Sequence, residues 1–362
     1  MEANLRKGFA ARPVRTGLLG RGSALPIPGM ARPRARALRE GISMLASRRS
    51  LALGAAVLAA PALAQSWPQR PARLIVPYAP GGGTDVFARA LAEGLRPLLG
   101  QPVLVENRAG ASGIVGSEVV ARAEPDGQVF LVDTGSHALN PHVMPSLPYN
   151  TQRDFTPVAL LSRFPMLLAA GATQPFRTAM ELVAAAKAAP GTIGFGTSDA
   201  AISYAGNLFA RLAGIQMVEV SYRGAGPMLN DLIAGHLPTS WNSTVAALPH
   251  IQSGRIRALG VSTRERTALL PEVPTLAEAG IAGYEFAGWY GMLGPANLPT
   301  SIAARMGAAI EEALRDPAIR QRLLGIGADL KPLGPDEFRT FLGEEEARWS
   351  RAAREGLIVR AQ

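Results

Sequence analysis

From Arg73 onward, short β-forming runs alternate with runs of helical periodicity, and this alternation restricts the chain to few folds. "RLIVPY", "PVLVEN" and "QVFLVDT" are predicted strands, and the helix after the first carries Phe87, Leu91, Leu95 and Leu98 on one apolar face. Strands that alternate with helices form βα units and mostly parallel sheets. The sequence therefore predicts an α/β fold.

Two long apolar segments predict strands that pass from one domain to another. "FTPVALLSRFPMLLAA" is expected to cross near Arg163, and "YEFAGWYGML" is expected to return. Two such strands would form a hinge beside a cleft. The predicted boundaries are residues 65–163 plus 288–362 for lobe 1, and 164–287 for lobe 2.

Residues 1–64 are a predicted leader. They hold eleven of the 37 Lys and Arg residues and two of the 28 Asp and Glu residues, so the net charge of +9 lies in this segment. The arginine pair at 48–49 precedes an apolar run that ends in Ala62-Leu63-Ala64, as in an export signal. We expect cleavage after Ala64 and a periplasmic protein, with general and twin-arginine export both open. The true start codon, at Met1, Met30 or Met44, is also open.

Composition and motifs argue against several functions. The neutral charge after residue 64 predicts no nucleic-acid binding. Cysteine is absent, and the four histidines show no zinc-binding pair, so neither a metal nor a cofactor is predicted. The glycines at 81–83 lack the Lys-Ser/Thr of a phosphate loop, and the segment 196–200 lacks the last glycine of a nucleophile elbow. No enzyme is predicted, and a secreted serine hydrolase using Ser198 is the alternative from another class.

Four loops rich in small and hydroxyl residues each follow a predicted strand. In open α/β sheets, ligands bind at these carboxyl ends of strands. A helix N-terminus there attracts anions through free N–H groups and its dipole, and glycine lets a ligand approach the backbone. The sequence predicts a carboxylate site, with ordinary tight βα turns as the alternative. The loops are residues 80–85, 133–141, 196–203 and 221–227.

Several motifs resemble the Bug family, the extracytoplasmic solute-binding proteins of tripartite tricarboxylate transporters. They include "WPQRPARLIVPYAPGGGTDVFAR", "SYRGAGPMLNDLIAGHLP" and "ALPHIQSGRIRALGVSTRERTALLPEVPTLAEAG". The resemblance implies a type II periplasmic-binding-protein fold with two α/β lobes, a two-stranded hinge and a ligand cleft. It implies capture of a small carboxylate for a membrane permease, without catalysis. A periplasmic carboxylate sensor for a signalling system is the alternative, and a monomer is expected.

The resemblance also implies the ligand-binding residues. Two departures from the family pattern concern the ligand body. At the start of the second-lobe helix this chain has Asp199, Ala200 and Ala201, with Tyr204 near the position of an expected histidine, which implies either a smaller and more apolar wall or a different turn. Asn242 follows Trp241 where relatives commonly carry an Asp. Because Asn242 offers no negative charge to an amine, we expect a carboxylate without an amino group. Trp241 is expected to be core or to face the cleft. The predicted site comprises Tyr78, Gly82, Gly83, Thr84, Thr134, Ser136, Thr197, Ser198, Ser203, Tyr222 and Asn242.

Overall fold

The computed structural model describes residues 67–330, 332–356 and 358. The leader and its cleavage site lie outside the described residues. The strands are β1 (Ala72–Val76), β2 (Val103–Asn107), β3 (Val129–Thr134), β4 (Phe155–Gly171), β5 (Gly194–Thr197), β6 (Val218–Ser221), β7 (Thr239–Ser243), β8 (Ile256–Val261) and β9 (Ala287–Pro295). The helices are α1 (Gly83–Leu99), α2 (Ile114–Ala121), α3 (Ser136–Val143), α4 (Ala179–Ala188), α5 (Ala200–Ala213), α6 (Ala225–Ala234), α7 (Thr244–Gln252), α8 (Thr300–Arg315), α9 (Pro317–Gly325) and α10 (Pro335–Arg354).

The strands form a mixed sheet in the order β2-β1-β3-β9-β4-β7-β5-β6, with β8 also paired to β4. β1 runs parallel to β2 and β3, and β5 runs parallel to β6 and β7. The predicted parallel arrangement holds for these βα units. β4 and β9 are antiparallel to each other and to their other neighbours, because they connect the two parallel parts rather than belonging to a βα unit.

β4 joins two halves of the sheet as one long strand. Its residues 155–165 pair with β9, whereas its residues from Met166 onward pair with β7 and β8. The partner therefore changes close to the predicted crossing at Arg163, and β9 runs beside it there. We call β1–β3, β9 and the start of β4 the first half, and β5–β8 with the end of β4 the second half. The residue boundaries of the lobes stay a prediction.

The helices cover both halves with apolar faces. Phe87, Leu91 and Leu95 of α1 are fully buried, as their spacing predicts. Thr178 caps α4 by accepting a hydrogen bond from the Glu181 amide at 3.1 Å, as a Thr followed three residues later by a Glu predicts.

Three segments differ from what their sequence patterns predict. Residues 136–143, whose Pro and Asn are typical of a loop, form α3, since burial of Ala138 and Leu139 outweighs the proline within the segment. The stretch 301–324 is two helices, because Asp316 precedes a proline and caps the second. Thr275 and Glu278 make both capping-box bonds, at 2.8 and 3.0 Å, around a turn without a helix.

Candidate functional site

The carboxyl ends of strands from both halves meet at a small cavity that we call the inner cleft. It encloses about 40 Å³, room for only a few water molecules. Its lining residues come from the starts of α1, α3, α5 and α6, from the end of β7 and from the crossing strands. They are Gly83, Thr84, Thr134, Gly135, Phe164, Met166, Asp199, Ala201, Ile202, Ala225, Ser243, Gly288, Trp289 and Tyr290.

A second cavity, the outer cavity, encloses about 200 Å³ beside the second half of the sheet. Asp199 lines both cavities. The side chain of Asp199 therefore lies at the border between the two cavities. The outer cavity is lined by Ser112, Val143, Met144, Thr197, Ser198, Asp199, Ala200, Ser203, Tyr204, Asn207, Glu219, Ser221, Tyr222 and Ile358.

The structure divides the eleven predicted site residues into three groups. Those that line the inner cleft are Gly83, Thr84 and Thr134. Those that line the outer cavity are Thr197, Ser198, Ser203 and Tyr222. Those that line neither cavity are Tyr78, Gly82, Ser136 and Asn242.

The N-terminus of α1 has no side-chain cap. Gly82 is its N-cap residue, and Asp85 turns away to accept a hydrogen bond from the Gly81 amide at 3.0 Å. Arg89 and Asn107 also donate to Asp85, at 3.0 and 2.9 Å. Burial works to raise the pKa of Asp85, but these hydrogen bonds outweigh it and lower the pKa. The first amides of α1 are thus left available to an anion in the cleft.

Tyr78 supports the first half from behind the cleft. Its hydroxyl donates to Asp133 Oδ1 at 2.7 Å and lies 3.0 Å from Thr134 Oγ1. Burial first, and then the nearby Asp133 and Asp199, raise the pKa of Tyr78 well above its ordinary value. Thr134 Oγ1 in turn accepts from the Ser136 amide at 3.2 Å. Tyr78 therefore acts on the cleft through Thr134.

The side chain of Asp199 caps the N-terminus of α5. Its Oδ1 accepts from the Ile202 amide at 2.9 Å and from the Ser136 hydroxyl at 2.9 Å. The same hydroxyl of Ser136 accepts from the Ala201 amide at 3.0 Å, so a residue of the first half completes the cap. Burial raises the pKa of Asp199 to about 6, although these hydrogen bonds oppose the shift. This helix end is occupied by a carboxylate of the chain itself.

Glu219 accepts hydrogen bonds from hydroxyl groups that line the outer cavity. It accepts hydrogen bonds from Thr197 and Ser203, each at 3.0 Å, and from Asn207 at 3.1 Å. Tyr222 donates to Asp231 at 2.9 Å. The hydroxyl groups of Thr197, Ser203 and Tyr222 therefore already have acceptors, and Glu219 adds a negative charge.

Neither cavity has a Lys or Arg among its described lining residues. Attraction of an anion to the inner cleft therefore comes from the helix N-termini. Across the described residues, no cluster of three His, Asp or Glu side chains is arranged to hold a metal ion. No hydrogen bond between described residues joins Ser198 to a histidine.

Two glycine-rich loops meet across the rim of the cleft. A Cβ added at Gly226, at the start of α6, would collide with the Pro80 carbonyl oxygen. One added at Gly224 would lie 2.6 Å from the Ala79 amide nitrogen. The two halves touch here through their backbones, a contact that only glycine permits.

Asn242 and Trp241 lie in the interior of the second half. Asn242 is fully buried on β7 and donates to Ser240 at 2.7 Å. Trp241 is fully buried between the rings of Phe195 and Phe209, so the expectation that it is core is correct. Neither side chain lines the inner cleft or the outer cavity.

Some lining residues were not in the predicted set. Tyr290 and Ser243 line the inner cleft, and both lie close to the position that a Cβ on Gly83 would take. Tyr290 belongs to the long segment predicted to cross, which could have indicated it. Glu219 lies on an exposed edge strand, where a glutamate is ordinary, so no feature of the sequence marks it as a site residue.

Residues 87–356 match the family model described as the tripartite tricarboxylate transporter family receptor. The chain is 34% identical over 309 residues to protein BugT of Bordetella pertussis, covering 84% of this chain and 94% of that protein. The periplasmic binding protein BugD has a similar structure, with a TM-score of 0.78, 29% identity and coverage of 82% and 100% of the two chains. Rpa4515 of R. palustris, solved with adipate, gives a TM-score of 0.78, 32% identity and coverage of 82% and 100%.

Proposed function

Since this chain belongs to the family of tripartite tricarboxylate transporter receptors, we propose that it captures a small carboxylate between its two lobes for a transporter of that type. The resemblance to Bug proteins, inferred from the sequence motifs, is confirmed. The predicted two-lobed α/β fold of periplasmic binding proteins is also confirmed. In the described part of the chain, no helix has the length and hydropathy needed to cross a membrane.

The observation that carries this function is the uncapped N-terminus of α1 at the inner cleft. Gly83 and Thr84 line the cleft there, and the nearest carboxylate, Asp85, is engaged by Arg89 and Asn107. The first amide of α3, that of Ser136, is already bonded to Thr134 Oγ1, so the free amides are those of α1. One helix end with free amides, in a pocket with no Lys or Arg among its described lining residues, suits one carboxylate group. The adipate bound by Rpa4515 is a ligand of this chemistry.

The ligand would be held by closure of the lobes. The inner cleft has room for a few water molecules only, so a ligand of several carbon atoms needs the lobes to part or needs the outer cavity as well. Ser136 already bridges the lobes by its bonds to Asp199 and Ala201. A ligand that contacts both lobes favours the closed form by its greater affinity for that form.

Capture for transport requires export, which we assign to the leader at residues 1–64 with cleavage after Ala64. The protein would act in the periplasm as a monomer and deliver its ligand to a membrane permease. We propose as the site the predicted residues that line the two cavities, with Tyr78 and Ser136 acting through Thr134 and Asp199. We expect no catalysis, and a fluorophosphonate probe should leave Ser198 unlabelled.

A thermal-shift titration tests the function. The full chain, expressed with its own leader and purified after export, is unfolded and refolded to remove bound solute. It is then titrated with aliphatic and aromatic carboxylates and with the matching amides. A carboxylate at about 100 times its Kd should add about 2.7 kcal/mol to the free energy of unfolding, a rise of a few degrees in Tm. The amide should give no shift. Equal shifts for acid and amide, or no shift with any acid, would contradict carboxylate capture.

A further inference from the structure

We propose that Asp199 sets the ligand class of this receptor: it rejects a second carboxylate and selects a carboxylate ligand that carries an amino group at its far end. This inference rests on the proposed function, since it assigns the ligand within the same cleft. It differs from the sequence-based expectation of a ligand without an amino group.

The lobes offer the ligand opposite electrostatic environments. On the first lobe, α1 begins without a side-chain cap, and its amides attract a carboxylate. On the second lobe, Asp199 already binds the Ile202 amide, and Ser136 binds the Ala201 amide. Two of the amides at the start of α5 are therefore already bonded to side chains of the protein, which leaves fewer for a second ligand carboxylate.

A second carboxylate would also meet uncompensated negative charge. It would lie beside the buried carboxylate of Asp199, and no Lys or Arg lines either cavity among the described residues. Two carboxylates in a water-poor cleft repel each other strongly without a cation between them. A dicarboxylate is therefore a poor ligand in this orientation.

The outer cavity suits a cation instead. Its wall adds a second carboxylate, Glu219, and the rings of Tyr204 and Tyr222. An ammonium group can donate three hydrogen bonds to carboxylate and hydroxyl oxygens, and aromatic faces attract cations. Because Asp199 borders both cavities, a ligand carboxylate in the inner cleft and an amino group in the outer cavity would lie on opposite sides of it or in contact with it.

The position of Asn242 removes the argument against an amino group. That argument needed residue 242 to face the ligand, whereas Asn242 is buried on β7 and lines neither cavity. The acidic partner for the amine comes from the start of α5 instead.

The titration of Asp199 agrees with this assignment. Without a cation nearby, burial raises its pKa to about 6. The other ionisable groups that act on it are Asp133, Tyr78 and Tyr290, all acids, and Glu219 lies in the same outer cavity. An ammonium ligand favours the ionised form of Asp199. The affinity of the protein for an ammonium ligand should therefore rise as the pH rises through about 6, and it should level off at higher pH.

The test compares ligands of one length that differ only at the far end. The refolded full chain is titrated calorimetrically with valerate, δ-hydroxyvalerate, δ-aminovalerate and glutarate, and with the homologues one carbon shorter. We expect the amino acid to bind about tenfold or more tighter than the dicarboxylate, because a charge-assisted hydrogen bond replaces a repulsion. Tighter binding of glutarate and succinate than of the amino acids would overturn the inference while supporting the proposed function. No binding of any acid would overturn both.

Two variants locate the selectivity. Asp199→Asn keeps an oxygen that can cap α5 but removes the charge, so the preference for the amino acid should fall about tenfold or more. Glu219→Gln should lower it by less, since Glu219 is shared with three donors. Glu181→Gln, at an exposed cap of α4, removes a charge away from both cavities and should not change it. An unchanged preference in both Asp199→Asn and Glu219→Gln would refute the assignment.

Discussion

Replacing Asp199 by Asn should change how stability depends on pH. The folded protein holds this carboxyl group with a pKa of about 6, against 3.8 for an ordinary aspartate. Each tenfold change in an acid dissociation constant corresponds to about 1.4 kcal/mol. Keeping Asp199 ionised above pH 6 therefore costs the folded state roughly 3 kcal/mol.

The sign follows from proton uptake. Between the two pKa values the folded state binds more protons than the unfolded state, so a raised pKa stabilises the fold at low pH. The contribution is lost as the pH rises from about 4 to above about 6. Asn has no such titration and keeps the capping oxygen. The free energy of unfolding of Asp199→Asn, minus that of the wild type, should grow over this range by up to about 3 kcal/mol.

Urea unfolding of ligand-free protein at a series of pH values measures this difference. Asp85→Asn is the matched control, because hydrogen bonds from Arg89, Gly81 and Asn107 lower the pKa of Asp85. Its stabilising contribution is present above the ordinary pKa and is lost as the pH falls. Asp85→Asn should therefore cost about 1 to 3 kcal/mol near neutral pH and less in acid. A difference for Asp199→Asn that does not vary with pH would refute the reasoning.

Three further substitutions test the rim of the cleft and the backbone. Gly226→Ala places a methyl group against the Pro80 carbonyl oxygen, so carboxylate affinity by calorimetry should fall about tenfold or more, and ligand-free stability should fall by about 1 to 3 kcal/mol. Unchanged affinity would show that the rim does not need this close approach. Gly100→Ala forces a side chain into the left-handed region at φ 66° after α1 and should cost about 1 kcal/mol in urea unfolding. Gly343→Ala, inside α10 with open space around it, should instead add up to about 1 kcal/mol, and a loss there would contradict the helix-propensity argument.

The sequence predicts the strands and helices well where periodicity and burial agree. Phe87, Leu91 and Leu95 lie in the core as their spacing requires. It fails where tertiary contacts decide. Burial makes α3 helical in spite of Pro141, and Thr275 makes its capping bonds around a turn that never becomes a helix.

The candidate site could be located from sequence more readily than its chemistry could be derived. The loops after β1, β3 and β5 do meet at the cleft, because parallel strands bring their carboxyl ends together. The sequence displays hydroxyl donors, but it does not show their acceptors. The hydroxyl groups of Thr197 and Ser203 donate hydrogen bonds to Glu219, and that of Ser136 donates to Asp199. These pairings become visible only in the folded structure.

The contact at the rim of the cleft has a consequence for how such receptors diverge. The loops at Pro80 and Gly226 meet through main-chain atoms, whereas the walls of the cavities are set by side chains such as Asp199 and Glu219. Mutations that exchange one cargo for another can therefore accumulate in the walls without altering the surfaces that come together. Duplicated genes could acquire new ligands by few substitutions while keeping the same main-chain contact at the rim.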